Sequence, residues 1–137
     1  MKVTESAISL NVPDLSASAA FARRHFGFVA EMDLPEVVSL RREGAGFSLI
    51  FLPTGLKTFK PAEAAGSAGM GLLLVFVVDD IDAEYARLRA EGVPIVTPIE
   101  TEAWGERYFQ TCDPNGVIYQ LMQWMTPPSG PEEEGVA

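Results

Sequence analysis

Val12-Pro13-Asp14-Leu15 and Val78-Asp79-Asp80-Ile81 each close an apolar run and open an amphipathic segment, and Asp14 and Asp80 stand 66 residues apart. Read outward from these two points, the chain says the same thing twice. Ala7 to Val12 is a run of apolar and small residues that reads as a strand. Asp14 is a helix N-cap by type, its carboxylate able to accept from the free N–H groups of a first turn. Leu15, Ala19, Ala22 and Phe26 then recur at helical steps and share one face, and Gly27 ends the helix because it tolerates positive φ. In the second copy Leu72 to Val78 form the strand and Asp80 caps. Ile81, Tyr85 and Leu88 follow 66 residues beyond Leu15, Ala19 and Ala22, and Gly92 stops the helix. Arg87, Arg89 and Glu91 fall mostly on the opposite, solvated face.

Three strand-like segments follow each helix. In the first copy they run about Phe28 to Asp33, Glu36 to Glu43 and Gly46 to Leu52; in the second, about Pro94 to Ile99, Glu106 to Cys112 and Gly116 to Trp124. Asp113-Pro114-Asn115-Gly116 is a turn by composition: Pro presets φ at its second position, Asp can bond back to the backbone, and Gly suits the fourth. Pro53 to Gly69, rich in Pro, Gly, Ala and Lys, joins the copies as a linker or a lid, with Phe59 as a candidate gate. The expectation is therefore an α+β fold of two tandem βαβββ modules in a single domain over residues 1–125. Module one covers about 5–53, the linker about 54–69 and module two about 70–125. Residues 126–137, which carry Glu132, Glu133 and Glu134, are expected to be a disordered acidic tail.

Composition narrows the function. The net charge is −9, and −6 remains without the three tail glutamates, so phosphate backbones are repelled and a nucleic-acid partner is not expected. No apolar run approaches the roughly 20 residues that span a bilayer, and Glu5 arrives before a signal peptide could form, so no membrane association and a cytoplasmic location are expected. The single cysteine, Cys112, excludes an internal disulfide and reads as a packed thiol.

The duplicated module, the Val-x-Asp-Leu/Ile openings, Ala86 to Val93, Trp104-Gly105 and Asp113 to Gly116 together resemble the vicinal oxygen chelate superfamily, over about residues 5–125 and more specifically in the second half. That group contains glyoxalase I, extradiol dioxygenases, epimerases and the bleomycin-resistance binding proteins. The resemblance implies a curled mixed sheet forming a cleft, and frequent dimers, so a homodimer is expected. It also implies a divalent metal held by His, Glu or Gln on the first and last strands of each module.

Carried over residue by residue, those ligand positions fall on Ala7, Leu73, Ile50 and Gln120, of which only Gln120 has a donor. Sliding by two along the same strand faces gives Ser9, Val75, Ser48 and Met122, none a usual ligand. The only histidine, His25, lies at the end of the first helix, where a dipole or surface role is expected. No metal and no other cofactor are expected, and metal-dependent glyoxalase or dioxygenase chemistry is disfavoured, because it needs at least three protein donors.

What the resemblance leaves is a cleft lined by Ser48, Ile50 and Leu52 from one module and Ile118, Gln120 and Met122 from the other, apolar with few polar groups. Trp104 either stacks on a planar ligand, with Glu102 and Glu106 suiting a cation, or packs against a sheet edge or a dimer partner. Strand alternation puts Tyr108, Gln110 and Cys112 on one face and Arg107, Phe109 and Thr111 on the other, without saying which looks inward. The expected ligand-binding set is Ser48, Ile50, Phe59, Trp104, Tyr108, Ile118, Gln120 and Met122. The expected function is metal-free binding of a small planar, apolar or cationic molecule, including sequestration of an antibiotic. The alternative is a metal-independent isomerase or lyase, with Glu106, Arg107 and Tyr108 as candidate catalytic residues and Arg41 as a further proton donor or oxyanion partner.

Overall fold

The computed structural model describes residues 1–68 and 70–127 of the chain. From Pro128 onward the expected acidic tail lies outside the described residues. The element order is β1 (Ala7–Val12), α1 (Leu15–Phe26), β2 (Val29–Leu34), β3 (Val37–Arg41), β4 (Ser48–Pro53), β5 (Leu73–Val77), α2 (Ile81–Ala90), β6 (Ile95–Thr101), β7 (Glu106–Cys112) and β8 (Ile118–Trp124). It is an α+β fold in which strand, helix and three strands occur twice. Each copy builds a four-stranded sheet, ordered β1-β4-β3-β2 and β5-β8-β7-β6. The linker also carries one 3-10 turn, Ala62–Ala64, which the sequence pattern did not single out.

Both helices start as their N-cap residues dictate. Asp14 accepts from Ala17 N at 3.2 Å and Asp80 from Ala83 N at 3.1 Å. Gly27 closes α1 in the left-handed region at φ 70°, and Arg42 adds a bond from Nε to the Phe26 carbonyl at 2.6 Å. That guanidinium satisfies an orphan carbonyl where the helix dipole favours positive charge. The helical face read from the sequence is the buried one: Leu15, Ala19, Ala22 and Phe26 all lie in the core. In the second copy Ile81 and Leu88 are fully buried, while Tyr85 lies between Phe109, 4.9 Å away, and the Arg89 guanidinium, 5.3 Å away. The first sheet is mixed, since β1 pairs parallel to β4 and β3 antiparallel to both β2 and β4. Leu49 and Phe51 of β4 are buried with Leu10, Val38 and Leu40, whereas Ser48, Ile50 and Leu52 alternate onto the opposite face.

The chain divides into two compact units whose boundaries cross the repeat. One comprises Met1–Leu74 with Cys112–Ile118, the other Val75–Thr111 with the chain from Tyr119 onward. The β7–β8 turn therefore belongs with the first copy's helix, and a buried polar cluster shows why. Asp113, 3% exposed, accepts from Ser18 Oγ at 2.6 Å, Asn115 N at 2.8 Å and Val117 N at 2.9 Å. Asn115 donates to the Asp14 carbonyl at 2.6 Å and to Ser18 Oγ at 2.7 Å, and accepts from Asp14 N at 3.1 Å. The turn motif thus also clasps the start of α1. In the same unit Asn11 donates to the carbonyls of Ala64 and Gly66, and Ala68 N bonds the Asn11 carbonyl, which ties the linker to β1.

Asp113→Ala is expected to strand Ser18 and two backbone N–H groups and to lower stability by about 2–4 kcal/mol, the range for losing charge-assisted bonds at a buried site. Urea unfolding of this variant beside Asp113→Asn, which keeps an acceptor and loses less, measures the difference.

Candidate functional site

In the second unit, packing against α2 decides which way β7 faces. Phe109 meets Tyr85 of α2, and Arg107 reaches Asp82 of the same helix at 2.8 Å while also donating to Thr101 at 2.9 Å. Arg107, Phe109 and Thr111 thus occupy the helix face, and by strand alternation Glu106, Tyr108, Gln110 and Cys112 share the other. On β8, Tyr119 stacks on Phe76 and Gln123 caps α2, accepting from Ile81 N at 3.0 Å, so Gln120 and Met122 belong to the face away from the helix. The structure therefore brings Glu106, Tyr108 and Gln120 together and separates Arg107 from them.

On that face a hydrogen-bonded chain crosses three strands. Thr97 Oγ1 donates to Gln110 Oε1 at 2.7 Å, Gln110 Nε2 to Gln120 Oε1 at 2.7 Å, and Gln120 Nε2 to Glu106 Oε2 at 3.1 Å. The other Glu106 oxygen accepts from the Trp104 indole N–H at 3.1 Å. Register explains the pairing: Thr97 stands opposite Gln110, and Glu100 opposite Tyr108 across β6 and β7. The register shifts between Thr97 and Glu100, an interval that contains Pro98, which has no N–H to give the ladder. Gln120 is nine-tenths buried, whereas the Trp104 side is 60% exposed. The indole edge is held and its ring remains open to solvent.

The turn that carries Trp104 is fixed from behind. Gly105 adopts φ +95°, its carbonyl accepts from Met125 N at 2.8 Å, and a β-carbon there would collide with Thr126. Only glycine suits both conditions, which is the physical content of the Trp-Gly pair. Beside the turn, the Tyr108 hydroxyl lies 2.7 Å from Glu100 Oε1 and 3.0 Å from Glu102 Oε1. A phenol has one hydrogen, so it donates to one carboxylate at a time. Those two carboxylates push the Tyr108 pKa well above the ordinary tyrosine range, because each bonds the neutral form and repels the phenolate. Cys112 is also raised, by burial first and then by Asp113, which leaves it a poor nucleophile.

The remaining predicted residues are dispersed. Ser48 and Ile50 lie half-buried on β4 in the first unit, opposite Ala7 and Ser9 of β1. Phe59 is half-buried in the linker, its N–H bonded to the Leu56 carbonyl at 3.0 Å. Ile118 opens β8 and Met122 is buried near its end. Arg41 is exposed, 3.6 Å from Glu31. His25 packs its ring on Phe21 at 5.0 Å. Sequence reading missed Thr97, Gln110 and Glu100 as members of the site. The available signal was the cross-strand pairing of β6 with β7, but the shift between Thr97 and Glu100 hides that register.

Residues 6–121 match the Glyoxalase/Bleomycin resistance protein/Dioxygenase superfamily, and the chain belongs to it. Among solved structures it is similar to a glyoxalase/bleomycin resistance protein/dioxygenase from Nocardioides, with a TM-score of 0.77 and 23% identity over 96% of this chain and 90% of that one. It is similar to a lactoylglutathione lyase from Agrobacterium tumefaciens, with a TM-score of 0.72 and 22% identity over 89% and 94%. It is also similar to an antibiotic binding protein from Streptomyces sp. CB03234, with a TM-score of 0.68 and 26% identity over 94% and 99%. The chain spans 43% of the length of a curated Mycobacterium bovis relative that it matches. Among the described residues no helix is long and apolar enough to cross a membrane.

Spectrophotometric titration at the phenolate band is expected to include a component that ionises above the ordinary tyrosine range, and Tyr108→Phe to diminish it. Because the folded pKa is raised above the unfolded one, stabilisation from Tyr108 is complete below the ordinary tyrosine pKa. It declines as pH rises beyond that value.

Proposed function

We propose that this protein binds a small planar molecule, apolar or cationic, without a metal and without turning it over, in the manner of the antibiotic-binding members of its superfamily. The observation that carries this reading is the donor set. Ala7, Ile50 and Leu73 have no side-chain donor, and the one amide, Gln120, already accepts from Gln110 through its oxygen. Among the described residues no group of three His, Cys, Asp or Glu is gathered as metal ligands would be. These residues do not fit the family's divalent ion.

What replaces the ion is a strip of fixed polar groups beside an exposed indole. Trp104 offers a ring face for stacking, and Glu100, Glu102 and Glu106 give its surroundings the negative charge that suits a cation. The likeness to the Streptomyces antibiotic binding protein supports this reading, while the likeness to the lyase is one of fold alone. Against the isomerase or lyase alternative, a phenol held neutral between two carboxylates is a poor general base, and Arg107 stands on the helix face, paired with Asp82. A homodimer and a cytoplasmic location complete the reading. Exposed Val29, Met32 and Leu34 on the edge strand β2 are apolar surface that a second copy would cover.

A melting screen against planar drugs and dyes tests the proposal, since a ligand at 100 times its Kd adds about 2.7 kcal/mol of stability. Trp104→Ala is expected to weaken a hit about tenfold, from the loss of one aromatic stack worth ~1.4 kcal/mol, while leaving the unliganded melt nearly unchanged. Failure of every planar compound to raise the melt rejects the proposal.

A further inference from the structure

The hydrogen-bonded strip has a direction, and one residue sets it. A glutamate carboxylate can only accept, so Gln120 must turn its NH2 group to Glu106 and its oxygen to Gln110. Gln110 must then meet that oxygen with its own NH2 and present its oxygen to β6, where the Thr97 hydroxyl donates. The opposite arrangement would set an amide oxygen against the carboxylate. Glu106 also holds the Trp104 indole, so one side chain orients both the amides and the ring.

The same logic fixes what the strip still demands. Each amide oxygen already accepts one bond, whereas each NH2 has used one of its two hydrogens. Among the described residues the second N–H of Gln110 and of Gln120 has no partner. Gln120 is nine-tenths buried, and a donor left unmet at such depth costs about 1–3 kcal/mol unless something accepts from it.

We infer that Glu106, Gln110 and Thr97 are positioning residues that turn amide N–H donors toward the occupant, so that the ligand is a planar molecule bearing a carbonyl acceptor on the edge that meets Gln110 and Gln120. This rests on the binding reading above and adds the polarity of the ligand. Glu106 acts through Gln120 and Trp104 and transfers no proton. Thr97, on a strand that supplies no amide to the strip, matters only as the terminal hydroxyl donor.

A matched probe pair tests it. 9-Fluorenone and fluorene have the same tricyclic frame and differ by one carbonyl. Binding of each is followed by quenching of tryptophan emission in a Trp124→Phe background, so that Trp104 alone reports. The wild-type protein is expected to bind fluorenone about tenfold more tightly than fluorene, the equivalent of one hydrogen bond. Glu106→Gln frees the amides to flip and Thr97→Val removes the end donor, so both should erase most of that preference. Thr97→Ser keeps the hydroxyl and should keep the preference. In parallel, 15N NMR of the side chains should show the Trp104 indole resonance shifting in Glu106→Gln and staying in place in Thr97→Val. The Gln110 and Gln120 amide resonances should move in both.

Equal binding of the two probes overturns the inference and leaves the binding reading intact. A preference that survives in both Glu106→Gln and Thr97→Val also overturns it, because the amides would then not be its source. Binding of neither probe overturns the inference, and the reading beneath it falls only if the melting screen also fails.

Discussion

The buried carboxylate of Asp113 is the interaction on which the first unit depends. It gathers a hydroxyl from α1 and two backbone N–H groups of its own turn, and Asn115 beside it binds the α1 entrance from the other side. An isolated anion at that depth would be costly, and three short donors make it tolerable. The consequence is topological. A turn from late in the chain becomes part of the unit built by the first half, although nearly a hundred residues separate it from the helix it holds.

The second unit is organised by a different constraint, the two-sidedness of a strand. α2 packs on one face of β7 through Tyr85 against Phe109 and the Arg107–Asp82 pair, and Gln123 of β8 caps it, which sends the alternate side chains to the other side. Those alternates include four polar side chains, Glu106, Tyr108, Gln110 and Gln120, beside Cys112 and Met122. A polar strip on a sheet is held in order when its members bond one another, and Gln110, Gln120 and Glu106 do so through a continuous run of bonds that ends on a carboxylate. Order in the site is thus a by-product of the same packing that makes the core. Trp104 is then held at both ends, by its indole bond to Glu106 and by a glycine that lets the chain pass close to Thr126.

These two arrangements bear on chemistry in opposite ways. The superfamily's scaffold ordinarily brings electron-pair donors to one point, whereas this chain has hydrocarbon at three of the four positions and commits the fourth to a neighbour. The face away from α2 carries bonded amides, one open ring and nearby negative charge. Tyr108 illustrates the distinction. The carboxylates that hold it keep its proton in place.

The sequence by itself determined the duplicated element order, both N-caps, the buried stripe of α1 and the Asp-Pro-Asn-Gly turn, because each of these is written in local spacing and side-chain type. Helix caps need only residues three apart, and a strand's alternation needs only its neighbours. The hydrocarbon at Ala7, Ile50 and Leu73 was likewise legible, since a missing donor cannot be supplied by folding. Only the tertiary structure decided that Arg107 turns to the helix and Tyr108 away from it, because alternation fixes which residues share a face but not which face is covered. It alone joined Thr97 to Gln110, across a bulge that shifts the register. It alone brought Asp113 to Ser18, since a buried carboxylate chooses its donors by proximity in space and leaves no trace of that choice in the local pattern.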